Sequence, residues 1–220
     1  MKKSIISCLI ILTIALIPQI ATAQGILTYL SNLDQPSTGS NPVGSDSWYA
    51  ALFRTGTNAS GYDLNSIQLG MTDASGNPNS FTVMVYGAVQ PPGASFMPGS
   101  SLGTLDGSLN PATSGIFTYT DASNLMLLPH TVYAIVLTAG TTVANGAYEW
   151  SYAGADSYNP SGGWADDGGS VYTSNNGSSW TPISGVNSQF AINATPVPEP
   201  SSEILLGLGG LAFLWRRRRL

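Results

Sequence analysis

Gly99-Ser100-Ser101-Leu102-Gly103 matches the G-x-S-x-G pattern in which a serine is held on a sharp turn as a nucleophile, and Asp121 and His130 follow in a serine, acid, histidine order. Such an elbow needs a strand before the serine and a helix after it. The residues beyond Gly103, TLDGSLNPATSG, are turn formers, and His130 follows Pro129 at the start of an apolar run. Catalysis by Ser101 is therefore disfavoured, and no catalytic residue is assigned. Asp156, Asp166 and Asp167, with Asn159, Asn175 and Asn176, gather hard oxygen donors in a glycine-rich stretch that would suit calcium. Their spacing matches neither an EF-hand loop nor a nonapeptide calcium repeat, so solvated loops are the simpler reading and no cofactor is expected. Tyr158, Trp164, Tyr172 and Trp180 form a third set, whose flat faces could stack on sugar rings. Trp164 and Tyr172 are the candidate glycan contacts, whereas Trp48 and Trp150 sit inside strand patterns and read as core.

The elements that would position these side chains are short and extended. Runs rich in β-branched and aromatic residues recur between turn formers: Ile26 to Leu33, Ser47 to Thr55, Ser66 to Met71, Phe81 to Tyr86, Gly115 to Thr120, Val132 to Thr138, Ala147 to Tyr152, Val171 to Ser174, Ser179 to Ile183 and Gln189 to Ile192. Phe81, Val83 and Val85 show a period of two, as do Tyr133, Ile135 and Leu137. Asn176-Gly177 predicts a tight hairpin, because both central residues of such a turn need positive φ. The pattern predicts an all-β protein with one antiparallel β-sandwich, jelly-roll-like in type.

Composition agrees: 25 glycines and 14 prolines stand beside only 9% charged residues, which favours many turns over long helices. Between residues 24 and 195 Arg54 is the one cation against ten carboxylates, a net charge of −9. A surface this acidic repels phosphate backbones, and nucleic acid is excluded as a partner. Cys8 is the one cysteine and lies near the start, so the body forms no disulfide and, with a single histidine, offers no zinc ligand set. Three sequons, at Asn58, Asn176 and Asn193, read as incidental.

The two ends differ from the body. Residues 1–23 carry two lysines, an apolar run from Ile5 to Ile17, Pro18, and Ala21-Thr22-Ala23. That is a signal peptide, with cleavage by signal peptidase expected between Ala23 and Gln24. Residues 196–220 open on Pro196, Pro198 and Pro200, read as a stiff linker unable to join a sheet ladder. An apolar segment follows over 204–215, ending in Trp215 and then Arg216, Arg217, Arg218 and Arg219. The arginines stay on the cytoplasmic side and the body lies outside. At ~1.5 Å per residue the twelve-residue segment covers ~18 Å of a hydrocarbon core near ~30 Å. It anchors marginally, which suits a tail that is held and then removed. The domains are thus 1–23, 24–195 and 196–220.

Val197-Pro198-Glu199-Pro200-Ser201-Ser202, the short apolar segment and the terminal arginines together resemble the PEP-CTERM sorting signal. That resemblance implies an exosortase-type membrane protease as partner, in a bacterium that makes extracellular polysaccharide, and delivery to the cell surface or matrix. The runs SDSWYAALFRTG, GYDLNSIQLGM, FTVMVYG, TVYAIVLTAGT, GAYEWSYAG and QFAIN resemble the choice-of-anchor R domain, which implies a surface address and no catalytic residues. The expectation is an exported, tail-anchored, non-enzymatic surface or matrix protein. Its rivals are a glycan-binding module of the exopolysaccharide matrix and, third, a hydrolase.

Overall fold

The computed structural model describes residues 25–107, 110–154 and 158–199. The export signal, the cleavage position Ala23–Gln24, Pro200 and the anchor residues Trp215 to Arg219 lie outside the described residues. The most regular strand is β9 (Val132–Thr138), a run of β-branched and aromatic residues that is buried on both faces. Tyr133, Ile135 and Leu137 point into the main core, while Val132, Ala134 and Val136 join a second apolar cluster on the other face. β3 (Trp48–Arg54) divides its side chains in the same way, Ala51 and Phe53 against Ala50 and Leu52. Period two thus survives in these strands, but both alternating sets are apolar.

The remaining strands among the described residues are β1 (Leu27–Ser31), β2 (Gly39–Val43), β4 (Tyr62–Gly76), β5 (Thr82–Val89), β6 (Met97–Gly107), β7 (Gly115–Thr120), β8 (Met126–Leu127), β10 (Gly146–Ala153), β11 (Asn159–Pro160), β12 (Ala165–Thr173), β13 (Thr181–Ile183), β14 (Asn187–Ser188) and β15 (Phe190–Pro196). One short 3-10 turn, Val143–Asn145, accompanies them. All pairings are antiparallel. The hydrogen-bonded path runs β11-β1-β15-β4-β7-β6-β5-β9-β3-β12-β13, with β8 and β10 also on β4, and β2 and β14 on β10. Leu30 from β1 and Ile192 from β15 share a core with Phe53 and Ile135, far along that path, so the sheet curls over on itself. Among the described residues no helix is long and apolar enough to cross a membrane.

The all-β, antiparallel expectation holds, and each run read as a strand overlaps one, although β4, β5, β10, β12 and β15 extend beyond the runs that announce them. Several strands were hidden. β6 runs through the glycine and serine stretch at 99–103 because it pairs with β5 along most of its length and with β7 at Asp106 and Gly107. β2 includes Pro42 yet pairs with β10 from Tyr148 to Tyr152. The linker reading of Pro196 is corrected: it is the last residue of β15 and sits opposite Tyr62 of β4. A proline lacks only the donor, and at the end of a ladder one missing donor costs little.

Candidate functional site

The sorting motif begins where the last strand ends. The Val197 N–H donates to the Gly61 carbonyl at 3.0 Å, and the Asn58 side-chain amide donates to the Val197 and Gly61 carbonyls, each at 2.9 Å. The Asn58 side-chain oxygen accepts from the Ser60 N–H, and its backbone N–H donates to the Tyr62 hydroxyl. This four-residue turn is a clasp. Val197 is fastened to the body, whereas Pro198 and Glu199 are exposed.

Asn58 is therefore occupied as an amide donor, and so is Asn193, which donates to Ser66 Oγ at 3.1 Å. Asn176, the third sequon, is exposed at the tip of the β12–β13 hairpin. There Asn176 and Gly177 both take positive φ, 56° and 81°, as the dipeptide predicts, but the tight two-residue hairpin is corrected: β12 ends at Thr173 and β13 starts only at Thr181, so the dipeptide turns within a longer loop.

Ser101 lies within β6 opposite Tyr86 of β5, and the strand continues past it to Gly107 where an elbow would need a helix. His130 is exposed in the turn before β9, with φ of 51° and its backbone N–H on the Gly56 carbonyl. Asp121 serves its own loop. Burial pushes its pKa up, but hydrogen bonds from the Ser123 hydroxyl and from the Leu125 and Ser123 N–H groups outweigh that and hold it below the ordinary value. The structure records no contact joining the three.

Of the calcium candidates, Asp156 lies outside the described residues, and Asp166 and Asp167 belong to β12 instead of a loop. A bulge around Gly168 and Gly169 lets the strand re-enter its pairing with β3 at Ser170 and Ala51. Asp167 accepts from Arg54 Nη2 at 2.7 Å and from Nε at 3.1 Å, so its charge is matched by the body's one arginine. Asp166 accepts from the Gly169 N–H. Among the described residues no three His, Cys, Asp or Glu side chains gather closely enough to hold a metal.

Burial, the largest cause, raises the Asp166 pKa to about 6, the Asp167 charge adds to this, and the Gly169 and Asp167 N–H groups oppose it. The folded state then holds the Asp166 proton more tightly than the unfolded chain does. Stability contributed at low pH is lost as pH rises from about 4 through about 6, with nothing further lost above that. Asp166→Asn should abolish this slope and stabilise the protein at neutral pH by on the order of 1–2 kcal/mol, after discounting for partial solvent screening. Urea unfolding of both proteins across this range checks it. Parallel curves would show that Asp166 is not the responsible group.

The aromatic reading needs correction at Trp164. Its side chain is 2% exposed, stacked on Tyr29 at 5.0 Å and 17° and on Phe53 at 5.9 Å and 5°, with Tyr62 edge-on at 5.0 Å. A ring enclosed in this way cannot stack on a sugar. Tyr172 is 38% exposed and lies over Tyr49 at 6.1 Å. Tyr158 packs on Phe190 and donates to the Ser188 carbonyl at 2.9 Å. Trp150 is fully buried, as expected, and Trp48 is half-buried against the second cluster with Trp180.

One feature had no signal in the sequence: an open pocket of about 190 Å³. Ser37, Ser151 and Gln189 supply its polar wall, with Leu33, Met71 and Ile116 beside them. Ser151 Oγ donates to Gln189 Oε1 and lies 2.8 Å from Ser37 Oγ, and the Gln189 amide donates to the Asn32 and Gln35 carbonyls. Among the described residues no charged side chain lines it.

The PEP-CTERM protein-sorting motif is matched over residues 196–219. It implies an exported, membrane-associated protein that is processed by an exosortase and sorted to the surface. The match lies in the tail, and the resemblance of the body to the choice-of-anchor R domain gains no support from it. No curated protein matches the chain. Among solved structures, the cysteine protease and lectin-like domains of Cwp84, a surface layer associated protein of Clostridium difficile, align at 14% identity with a TM-score of 0.41, over 74% of this chain and 37% of that one. This chain thus spans little more than a third of that structure.

Proposed function

We propose that this chain is an exported bacterial surface or extracellular-matrix protein whose β domain has a structural, non-enzymatic role. In this reading residues 1–23 are a cleaved signal peptide, and the tail anchors the body until an exosortase-type protease removes it. The curled sheet then acts as a β-sandwich-like building block. The observation that carries the reading is the PEP-CTERM motif itself, which starts at the last strand of the fold.

Because Pro196 and Val197 belong to the fold, the informative truncation ends at Val197 and removes 198–220. The truncated protein should be secreted in soluble form with the melting temperature of the body unchanged. The intact gene, expressed beside the exosortase, should yield surface protein lacking Trp215 and the arginines by mass spectrometry. Replacing Arg216 to Arg219 with alanine should disturb orientation, since the positive-inside bias is lost. A truncated protein that stays on the membrane would place the anchor elsewhere.

A glycan-binding role within the exopolysaccharide is the second reading. With Trp164 enclosed, it is favoured by the uncharged, hydroxyl-rich pocket at Ser37, Ser151 and Gln189, which has the chemistry for a neutral sugar, and by the exposed face of Tyr172. Retention on neutral polysaccharide distinguishes it from a purely structural role.

A further inference from the structure

Eight large apolar side chains stand out as exposed among the described residues, and half of them, Ile26, Leu27, Met126 and Leu128, lie at one end of the sheet. Cross-strand register places them there. Leu27 of β1 sits opposite Ala194 of β15, Pro196 of β15 opposite Tyr62 of β4, and Tyr62 and Asp63 opposite Leu127 and Met126 of β8. With strands ~4.8 Å apart, β1 and β8 are separated by only ~14 Å. Gly61 ties the group to the chain exit. Its carbonyl holds the Val197 N–H, and a Cβ at Gly61 would lie 3.8 Å from Leu128 Cα.

These four side chains are between 48% and 64% exposed, although the body has ample core to bury such residues elsewhere. The length of chain beyond them identifies the occupant. Six residues, Pro198 to Glu203, separate Val197 from the apolar segment that starts at Ile204. A proline-rich spacer of that length reaches ~19 Å in the polyproline II form. On the other side, Gly25 leads back to residues 5–17, the other apolar run of the chain. Both membrane-directed segments therefore leave the body at the end where the exposed apolar side chains collect.

We propose that this end is a membrane-docking face: while the tail is inserted, Ile26, Leu27, Met126 and Leu128 enter the interfacial layer of the bilayer and fix the orientation of the body. The proposal rests on the tail-anchor reading given above. Asp63, exposed beside Met126, adds a negative charge to the face. A zwitterionic headgroup surface is therefore the favoured partner over a strongly anionic one. Docking of this kind would hold the motif at Pro198–Glu199 close to the membrane plane, where a membrane protease acts.

The test uses the mature protein, residues 24–220, which has no native cysteine, carrying a nitroxide at Met126→Cys or Leu128→Cys, and at Ile116→Cys of β7, opposite Gly70 toward the other end of β4, as the distant site, in phosphatidylethanolamine–phosphatidylcholine vesicles. Flotation reports anchoring; collision rates with oxygen and with a water-soluble nickel chelate report depth. The expected result is co-flotation, with a several-fold fall in nickel collision and a rise in oxygen collision at 126 and 128 but not at 116. Co-flotation with all three sites equally open to nickel overturns the docking face and leaves the anchor standing. Failure to float overturns both. Protection accompanied by spin–spin broadening that persists on dilution in lipid assigns the face to a second copy of the chain, and likewise overturns the proposal.

Discussion

Trp164→Ala is expected to cost the folded body about 3–5 kcal/mol, the range for removing a large buried aromatic ring. The ring is sandwiched between Tyr29 and Phe53 and met edge-on by Tyr62, so truncation opens a void that three rigid neighbours cannot collapse to fill. The Trp164 indole N–H is buried without a partner, which lowers the net worth of the native ring and places the expected loss toward the smaller end of the range. For a domain of this size the melting temperature should fall by roughly 10 °C. Tyr172→Ala, on the same segment, removes a ring that is already partly in solvent and should lower it by only a few degrees. Calorimetry of the two variants beside the parent decides the matter. Equal shifts would mean that the cluster around Trp164 yields as readily as a surface pair.

This contrast marks where the sequence was legible. Tyr133, Ile135 and Leu137 announce a strand because alternation is local, and Asn176-Gly177 announces its turn because φ is a property of those two residues. Trp164 carries no such signal. Its flanks, Gly163 and Ala165 and then two aspartates, look like a loop, and its stacking partners Tyr29, Phe53 and Tyr62 are more than a hundred residues away in the chain. β6 was missed for a related reason: Gly99, Ser100, Ser101 and Gly103 have turn propensity, and only the neighbours β5 and β7 draw them into a ladder. The same logic governs function. The sorting tail is a linear signal, and the family comparison matches its motif over 196–219, while the place of its first proline, Pro196, in the β15 ladder is set by β4 and is not legible locally. The pocket at Gln189 and the apolar end around Val197 are assembled from β1, β4, β7, β8, β10 and β15 and the loops beside them, so no window of the sequence contains them.

Gly56→Ala should be the other severe substitution, and its consequence extends to the tail. A Cβ at residue 56 would stand 1.9 Å from the Gly162 carbonyl oxygen, 2.7 Å from the Tyr62 hydroxyl and 2.8 Å from Trp164 Cδ1. The first of these is backbone and cannot swing aside. It belongs to the turn at 161–163, whose Ser161 carbonyl accepts the Trp164 N–H and whose Gly162 carbonyl accepts the Thr57 N–H. Relief of the clash must therefore separate the two turns, at a cost of about 3 kcal/mol or more, the upper reach of overpacking. Thr57 leads directly into the Asn58–Gly61 clasp, so the hydrogen bonds on Val197 should loosen with it. Gly87→Ala is the matched comparison, since the nearest atom to its Cβ is Leu102 Cδ1 at 4.0 Å and an alanine there fits a strand without strain. The expected result is a large fall in melting temperature and loss of amide-exchange protection at Val197 for Gly56→Ala, with neither for Gly87→Ala. If Gly56→Ala melts early but keeps Val197 protected, the clasp is set by Asn58 alone. The start of the sorting motif is then held independently of the aromatic cluster behind it.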